Sequence, residues 1–290
     1  MAEVCTGGID TGFVALGHAK VAFLGVVQGI TELLPISSTA HMRVVPALLG
    51  WRDPGSAFSA AMQLAALAAV AAYFWRDVAG LTMGSLSALA KGRFDDRRLR
   101  LSLWIVLATI PIVVAGAALS PLLNTCGSPL RGLAVIGWAC VGMAILLGLA
   151  ERFARHRREV RGVTFVDALL VGVAQAGALI PGVSRSGSTL TAALALGFRR
   201  EEAARFSFLI GIPAIALAGG RELWELHKVH LSAHGWSVLA VGLAVASISA
   251  FAAIWGLMRI LERFSAWPFV LYRAALGAAL LAAAATGRLH

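Results

Sequence analysis

The stretch QGITELLPISSTAH, residues 28–41, interrupts a long apolar segment with polar side chains and a proline. Gln28 and Glu32 are four positions apart, so a helix would place them on one face. Pro35 disfavours continuation of that helix, and the serine pair after it can cap a new one. The segment Thr11–Gly50 therefore predicts two helices joined by a break, with each half too short to cross a bilayer comfortably.

A second stretch, PGVSRSGST at residues 181–189, breaks the apolar segment Gly162–Gly197 in the same way. At an offset of 147 positions Ser37 aligns with Ser184, and neighbouring residues also match. Each broken segment is followed by three apolar runs. This shared order predicts an internal repeat, and both broken segments are expected to form helix hairpins that dip into the membrane and return. The two halves span roughly residues 11–150 and 162–286.

The composition requires a membrane. The chain has 290 residues, of which 59% are hydrophobic and only 14% charged, whereas soluble proteins are about a quarter charged. No long strict alternation supports a β-barrel. We therefore predict one all-α integral membrane domain over residues 1–290, with a shorter interfacial or partial helix at Val78–Ala90. The six runs long enough to span are Ala57–Tyr73, Leu101–Ser120, Leu133–Ala150, Phe206–Gly220, Trp236–Met258 and Trp267–Thr286.

Loop charge predicts the orientation. Residues 76–100 hold six Lys or Arg and residues 151–161 hold five, whereas residues 121–132 hold one. The first two loops are therefore expected in the cytoplasm. Three spans per half make the halves run in opposite directions, which places the two broken hairpins face to face near the midplane. Loops of this kind account for the net charge of +10, and nucleic-acid binding is not expected.

The remaining composition adds few constraints. Cys5, Cys126 and Cys140 are isolated and form neither a metal spacing nor a disulfide framework. No basic region precedes the first apolar run, so a cleaved signal peptide is not expected. No pattern predicts an organic cofactor or fixes the oligomeric state, and a homodimer is left open.

The first motif can supply a nucleophile and its base. Ser37 and Ser38 lie four and three residues before His41, so one of their hydroxyls can lie beside the imidazole on the returning helix, and Ser38 is taken as the nucleophile. A serine hydroxyl needs a base to take its proton, and a carboxylate such as Glu32 can orient that base. Ionisable groups inside a membrane favour a functional interpretation. The neighbouring polar residues expected to contact substrate are Gln28, Ser37 and Thr39.

The second motif predicts a phosphate-binding cradle. Arg185 carries a permanent charge and a planar fork that matches phosphate oxygens. The glycines allow backbone turns that expose N–H groups, and the N-terminus of the following helix points to the same place. The other residues expected in the cradle are Gly182, Ser184, Ser186, Gly187, Ser188 and Thr189.

Both motifs resemble those of the bacterial undecaprenyl-diphosphate phosphatases, the bacitracin-resistance family. Residues 28–41 are similar to its first motif, and residues 181–189 to its Pro-Gly-x-Ser-Arg-Ser-x-x-Thr motif. The resemblance implies an inner-membrane enzyme that releases phosphate from undecaprenyl diphosphate and so recycles the lipid carrier of cell-wall synthesis. It also implies a site open to the outer face, with Glu32, Ser38, His41 and Arg185 catalytic.

The sequence favours attack by Ser38, with His41 as base and Glu32 orienting it; His41 as nucleophile and His41-activated water are alternatives. The family is reported to depend on divalent cations, and many members have Glu where this chain has Gln28. Glu32 alone would then bind Mg²⁺ or Ca²⁺, with the diphosphate supplying most ligands.

A transporter that moves the polyprenyl phosphate with the same cradle is the rival function, although transport needs no such Ser, His and Glu set.

Overall fold

The chain folds into helices that follow the apolar runs of the sequence. In this computed structural model the described residues are 5–6, 9–123, 130 and 132–286. Cys126 and Arg131, in the predicted external loop, lie outside them. The α-helices are α1 (Gly17–Leu33), α2 (Ser38–Leu48), α3 (Ser56–Tyr73), α4 (Trp75–Ala90), α5 (Arg97–Leu123), α6 (Leu133–Phe153), α7 (Phe165–Ala176), α8 (Arg185–Ala195), α9 (Arg200–Lys228), α10 (Ala233–Arg263) and α11 (Trp267–Ala285). Two antiparallel strands of two residues each, β1 (Cys5–Thr6) and β2 (Ile9–Asp10), precede them.

Six helices in the described part of the chain are long and apolar enough to cross a membrane. They are Gly12–Leu33, Arg97–Leu119, Leu133–Phe153, Arg200–Lys228, Ala233–Arg263 and Trp267–Ala285. This confirms the prediction of an all-α, multi-pass membrane protein. One of the six spans differs from those predicted, because Gly12–Leu33 takes the place of Ala57–Tyr73. The first hairpin contributes a helix of spanning length because its polar residues cluster at the end of α1, which leaves 22 residues from Gly12 to Leu33.

The predicted span Ala57–Tyr73 is a helix that ends in a sharp bend. Its 18-residue helix α3 reaches about 27 Å, slightly less than the roughly 30 Å of a hydrocarbon core. At Phe74 the chain turns by 80° into α4, which contains the run Val78–Ala90. Apolar side chains of α4 remain exposed, including Met83 at 71%. This exposure is what a helix lying at a membrane interface requires.

The two halves of the chain exchange packing partners. Helix α1 packs on α10 of the other half, and α7 packs on α5 of the first half. Helix α3 corresponds to α9 in the other half, and α6 corresponds to α11. Each of these corresponding pairs packs together. A two-fold relation between repeats produces this combination of crossed and self-paired contacts. The opposite direction of the second half in a membrane stays a prediction.

The turns of the two hairpins have the same local structure. Ser37 and Ser184, which the sequence aligns at an offset of 147, both have positive φ, at 73° and 68°. Each is the N-cap of the returning helix, and each hydroxyl accepts a hydrogen bond from the backbone N–H three residues later. Positive φ is costly for a residue with a side chain, so the surrounding packing must hold both turns in place.

Glycines allow the crossed helix pairs to approach closely. A Cβ added at Gly29 of α1 would lie 2.4 Å from the backbone oxygen of Ala246 in α10. A Cβ at Gly172 of α7 would lie 2.6 Å from the backbone oxygen of Ala108 in α5. In both pairs backbone meets backbone, as in close packing of membrane helices through small residues.

We predict that Gly29→Ala destabilises the protein by about 1–3 kcal/mol, the usual cost of overpacking. The cost arises because backbone atoms of α10 cannot move aside as a flexible side chain would. The measurement is the apparent melting temperature in detergent. Gly142→Ala is the matched control, since a Cβ at this helical glycine meets nothing within 4 Å. Equal melting temperatures for the two variants would contradict the proposed contact.

Candidate active site

The tips of the two hairpins meet, and side chains from both motifs bond there. The guanidinium of Arg185 donates from Nη2 to Oε1 of Glu32 at 3.0 Å. The hydroxyl of Ser186 lies 3.0 Å from the backbone oxygen of Glu32 and 3.2 Å from that of Leu34. The structure therefore brings together the two motifs that the sequence singled out, although they are about 150 residues apart.

Glu32 is the centre of this polar group. Its Oε2 accepts a hydrogen bond from Ser38 Oγ at 2.6 Å and another from Gln28 Nε2 at 3.0 Å. With Arg185 on Oε1, one buried carboxylate serves three donors. Such charge-assisted bonds are about twice as strong as neutral ones, which compensates the burial of the carboxylate. The Oε1 atom of Gln28 has no protein partner among the described residues.

The sequence predicts a contact between His41 and a serine hydroxyl, but His41 contacts two other groups. Its Nδ1 lies 2.7 Å from the backbone oxygen of Ser37, and because a carbonyl only accepts, Nδ1 carries the hydrogen. In the neutral ring Nε2 then accepts from the hydroxyl of Tyr272 at 2.6 Å, and the two rings stack with centroids 5.7 Å apart. The hydroxyl of Ser38 bonds to Glu32 and not to His41. Helical spacing predicts that Ser38 and His41 lie on one face of α2, but it does not predict which way the imidazole ring points.

The hydroxyls of the predicted phosphate cradle have structural partners. Ser184 Oγ accepts from the N–H of Gly187, and Ser188 Oγ donates to the Arg185 carbonyl. Thr189 Oγ1 donates to the same carbonyl at 2.7 Å and also contacts Ser207 Oγ. These bonds stabilise the turn and α8. Binding of phosphate by these hydroxyls stays a prediction that requires the bonds to rearrange.

Gly182 and Gly187 lie where the chain packs closely against its neighbours, and Thr39 lies at the surface. A Cβ at Gly182 would lie 2.7 Å from the Ile136 backbone oxygen, so this glycine lets the turn pack on α6. A Cβ at Gly187 would lie 2.6 Å from Nη1 of Arg273, so this glycine makes room for that guanidinium. Thr39 is exposed at the start of α2.

Arg185 and two helix ends create a positive potential. Helices α2 and α8 both begin at this site, at Ser38 and at Arg185. The first N–H groups of a helix lack intrahelical acceptors, and its N-terminus carries partial positive charge. The Arg185 side chain is only 14% exposed and also donates to the Gly211 carbonyl at 3.2 Å. It is held inside the protein, which is unlike an arginine that extends to lipid headgroups. The arrangement favours binding of an anion.

Arg273 fastens the two turns together and was missed as a site residue from the sequence. It is fully buried; its Nη1 donates to the Pro35 carbonyl at 3.1 Å, and its Nη2 donates to the carbonyls of Gly182 and Val183 at 2.8 and 2.9 Å. No carboxylate pairs with it in the described part of the chain. An arginine within the apolar run Trp267–Thr286 was the signal that could have found it.

The cavity beside Arg185 is too small for a phosphate group. Its volume is about 10 Å³; it lies behind Arg185 and Ser186, between Leu33 and Phe208, and it has room for one water at most. Thr39 and Tyr272 are exposed and Ser38 is partly exposed. A phosphate group would therefore approach over the start of α2, where Ser38 faces Glu32.

Comparisons with known proteins agree with the motifs. The sequence profile described as bacitracin resistance protein BacA matches residues 21–279. A relative from Mesorhizobium japonicum named undecaprenyl-diphosphatase 2 is 76% identical over 261 residues, which cover 90% of this chain and 99% of that protein. Proteins named undecaprenyl-diphosphatase from Gloeobacter violaceus and Trichormus variabilis are each 49% identical; the matches cover 94% and 92% of this chain, and 94% and 84% of those proteins.

We predict that Arg273→Lys lowers the melting temperature in detergent. Lysine keeps the charge but cannot reach three carbonyls with one planar group, and each buried acceptor left without a donor costs about 1–3 kcal/mol. Arg263→Lys is the matched control, because Arg263 is exposed at the end of α10. An unchanged melting temperature for Arg273→Lys would show that the three carbonyls do not depend on the guanidinium.

Proposed function

Because the chain belongs to the family of the bacitracin resistance protein BacA, we infer that it is an undecaprenyl-diphosphate phosphatase. It is a multi-pass membrane hydrolase that converts undecaprenyl diphosphate to the monophosphate and inorganic phosphate. This reaction recycles the lipid carrier of cell-wall synthesis. The roles assigned to individual residues below are our proposal.

One contact carries the proposed mechanism, the 2.6 Å hydrogen bond from Ser38 Oγ to Glu32 Oε2. We assign Ser38 as the nucleophile and Glu32, rather than His41, as the base. The Ser38 oxygen attacks the terminal phosphorus while Glu32 accepts the hydroxyl proton. The bond from that phosphorus to the bridging oxygen breaks, and polyprenyl monophosphate leaves. Water then attacks the phosphoserine, the bond between Ser38 Oγ and phosphorus breaks, and inorganic phosphate is released. Glu32 returns its proton to the Ser38 oxygen, which restores both groups.

Arg185 links substrate binding to the proposed base, because it contacts Glu32 directly. Its Nη2 donates to Oε1 of Glu32, the carboxylate whose Oε2 accepts from the Ser38 hydroxyl. A diphosphate placed at the starts of α2 and α8 attracts the same guanidinium to its own oxygens. Glu32 then loses this donor but keeps its contact with the Ser38 hydroxyl. The N-terminal N–H groups of both helices stabilise the charge on the phosphoryl oxygens.

His41 and Gln28 have supporting roles in this mechanism. The bond between His41 Nδ1 and the Ser37 carbonyl holds the turn that presents Ser38. Its Nε2 and the Tyr272 hydroxyl form a second proton-carrying pair at the edge of the site, suited to the water of the second step. Gln28 donates to Glu32 and directs the carboxylate. Attack by His41 or by water on the diphosphate is the competing mechanism.

The residues that the structure describes do not form a metal cage. The described residues contain no group of three His, Cys, Asp or Glu side chains placed to hold a metal ion. Both oxygens of Glu32 already accept hydrogen bonds. We propose that any Mg²⁺ or Ca²⁺ used by the reaction enters with the diphosphate, whose oxygens supply most of its ligands. The steps above do not use it.

We propose an inner-membrane location with the site facing the periplasm. The basic loops around residues 76–100 and 151–161 support a cytoplasmic side for both. The resemblance to the phosphatase family supports the outward opening.

We predict that Ser38→Ala lowers kcat by about 10²–10⁴-fold, since the nucleophile is lost. Ser37→Ala is the control: it removes a helix cap and costs about 1 kcal/mol of stability, but it should keep most of the turnover. Phosphate release from purified protein measures both. Similar mild effects would favour water or His41 as nucleophile, whereas a phosphoserine trapped at Ser38 would establish the covalent step.

We predict that Arg185→Lys lowers kcat/KM by roughly 100-fold or more, because lysine keeps the charge but loses the two-pronged contact with phosphate. Arg155→Lys, at an exposed loop position, is the control. Near wild-type kcat/KM for Arg185→Lys would reduce its role to that of a structural ion pair with Glu32.

We predict that an impermeant thiol reagent labels intact cells at Gly132→Cys and not at Arg157→Cys, in a background without the native cysteines. Both positions are exposed, at the start of α6 and in the loop before α7. Labelling of permeabilised cells at both positions serves as the control. The reverse pattern in intact cells would place the site on the cytoplasmic side.

A further inference from the structure

A second cavity, away from the two hairpins, lies where α4 turns into α5. Its volume is about 200 Å³, smaller than the roughly 300–1,000 Å³ of pockets that enclose a drug-sized ligand. It therefore suits a small polar group rather than a whole lipid. The residues that line it are Met83, Gly84, Ser87, Ala88, Lys91, Arg93, Asp96 and Arg98.

The charges around this cavity are unbalanced. Lys91, Arg93 and Arg98 face it, and none of the three forms an ion pair within the described residues. Asp96 is the single carboxylate of the lining, and its Oδ1 accepts the N–H groups of Arg98 and Leu99 at 2.8 and 3.4 Å. Because Asp96 caps the start of α5, it neutralises part of the positive charge but not all of it. An anion that is not part of the chain would balance the remaining positive charge.

The backbone of α4 is shaped to hold one of these cations. A Cβ added at Gly84 would lie 2.4 Å from Cδ and 3.2 Å from Cβ of Arg98. The Arg98 side chain therefore lies directly across this glycine, at the wall of the cavity. Any larger residue at position 84 would push it away. By contrast, a Cβ at Gly80, one turn earlier in the same helix, meets nothing within 4 Å.

Exposed apolar side chains occur on α4 and in the turn that carries the cations, and one of them, Met83, lines the cavity. Met83 and Phe94 are each 71% exposed, and Leu86 is 63% exposed. They belong to α4 and the turn after it, which leave the direction of α3 at an 80° bend. A helix with exposed apolar residues beside a group of Lys and Arg is the pattern of a segment lying at the surface of an anionic membrane.

From the cavity, its unpaired cations and the exposed apolar side chains of α4 and the turn after it, we propose that this site binds the phosphate of an anionic membrane phospholipid headgroup. Arg98 and Lys91 would contact the phosphate oxygens, and Met83 and Phe94 would contact the acyl chains. A free phosphate ion shares the first contact but not the second. The site is separate from the catalytic group, and binding here requires no hydrolysis.

The test uses the full-length protein in detergent and mass spectrometry of the intact protein–lipid complex. The lipids compared are phosphatidylglycerol and phosphatidylcholine, with inorganic phosphate as competitor. We expect preferential retention of phosphatidylglycerol, and loss of about 10-fold or more in its affinity in the double variant Lys91→Gln, Arg98→Gln. The control removes two exposed charges elsewhere, in Arg155→Gln, Arg157→Gln, and should retain the lipid.

Two glycine variants of α4 test whether the position of Arg98 matters for lipid binding. Gly84→Ala keeps every charge but displaces Arg98, so it should weaken phosphatidylglycerol binding, whereas Gly80→Ala should not. Equal retention of both lipids by the wild type, or equal losses in the cavity and control variants, would overturn the site. Displacement of the lipid by inorganic phosphate at equal concentration would overturn the lipid as its ligand. Neither result bears on phosphate release at Ser38.

Discussion

The ion pair between Glu32 and Arg185 is the contact on which the site depends. Its side chains are only 6% and 14% exposed, so each charge would be costly to bury without the other. Irregular backbone is tolerated at membrane depth only where protein shields it and satisfies its polar groups. Arg273 does this for three carbonyls of the two turns, while the ion pair fixes one turn against the other.

Most polar side chains of the site have hydrogen-bond partners within the protein. Ser38, Gln28 and Arg185 share one carboxylate, and His41 is held between a carbonyl and Tyr272. These bonds reduce the cost of burying polar groups, which is high where a group has no partner. The same bonds couple the two motifs, because a phosphate that competed for Arg185 would change the surroundings of the carboxylate that Ser38 contacts.

The sequence predicted features that depend on local pattern. Polar residues in apolar segments located both hairpins, and the offset of 147 paired Ser37 with Ser184, which share their conformation. The partner of the Ser38 hydroxyl depends on side-chain direction, and the contacts of Arg273 join residues 238 and 91 positions apart. Neither is encoded locally. The bend at Phe74 contains no proline or glycine, so no helix-breaking residue indicated it.

The crossed packing has a consequence for how the protein is made. Helix α1 emerges from the ribosome first among the helices, but its partner α10 begins only at Ala233. Contacts that distant in the chain form late during synthesis. Until then α1 must persist in the bilayer with its glycine face covered by lipid or by an insertion factor. A chain that stops before α10 therefore contains both motifs but leaves the glycine face of α1 without its partner.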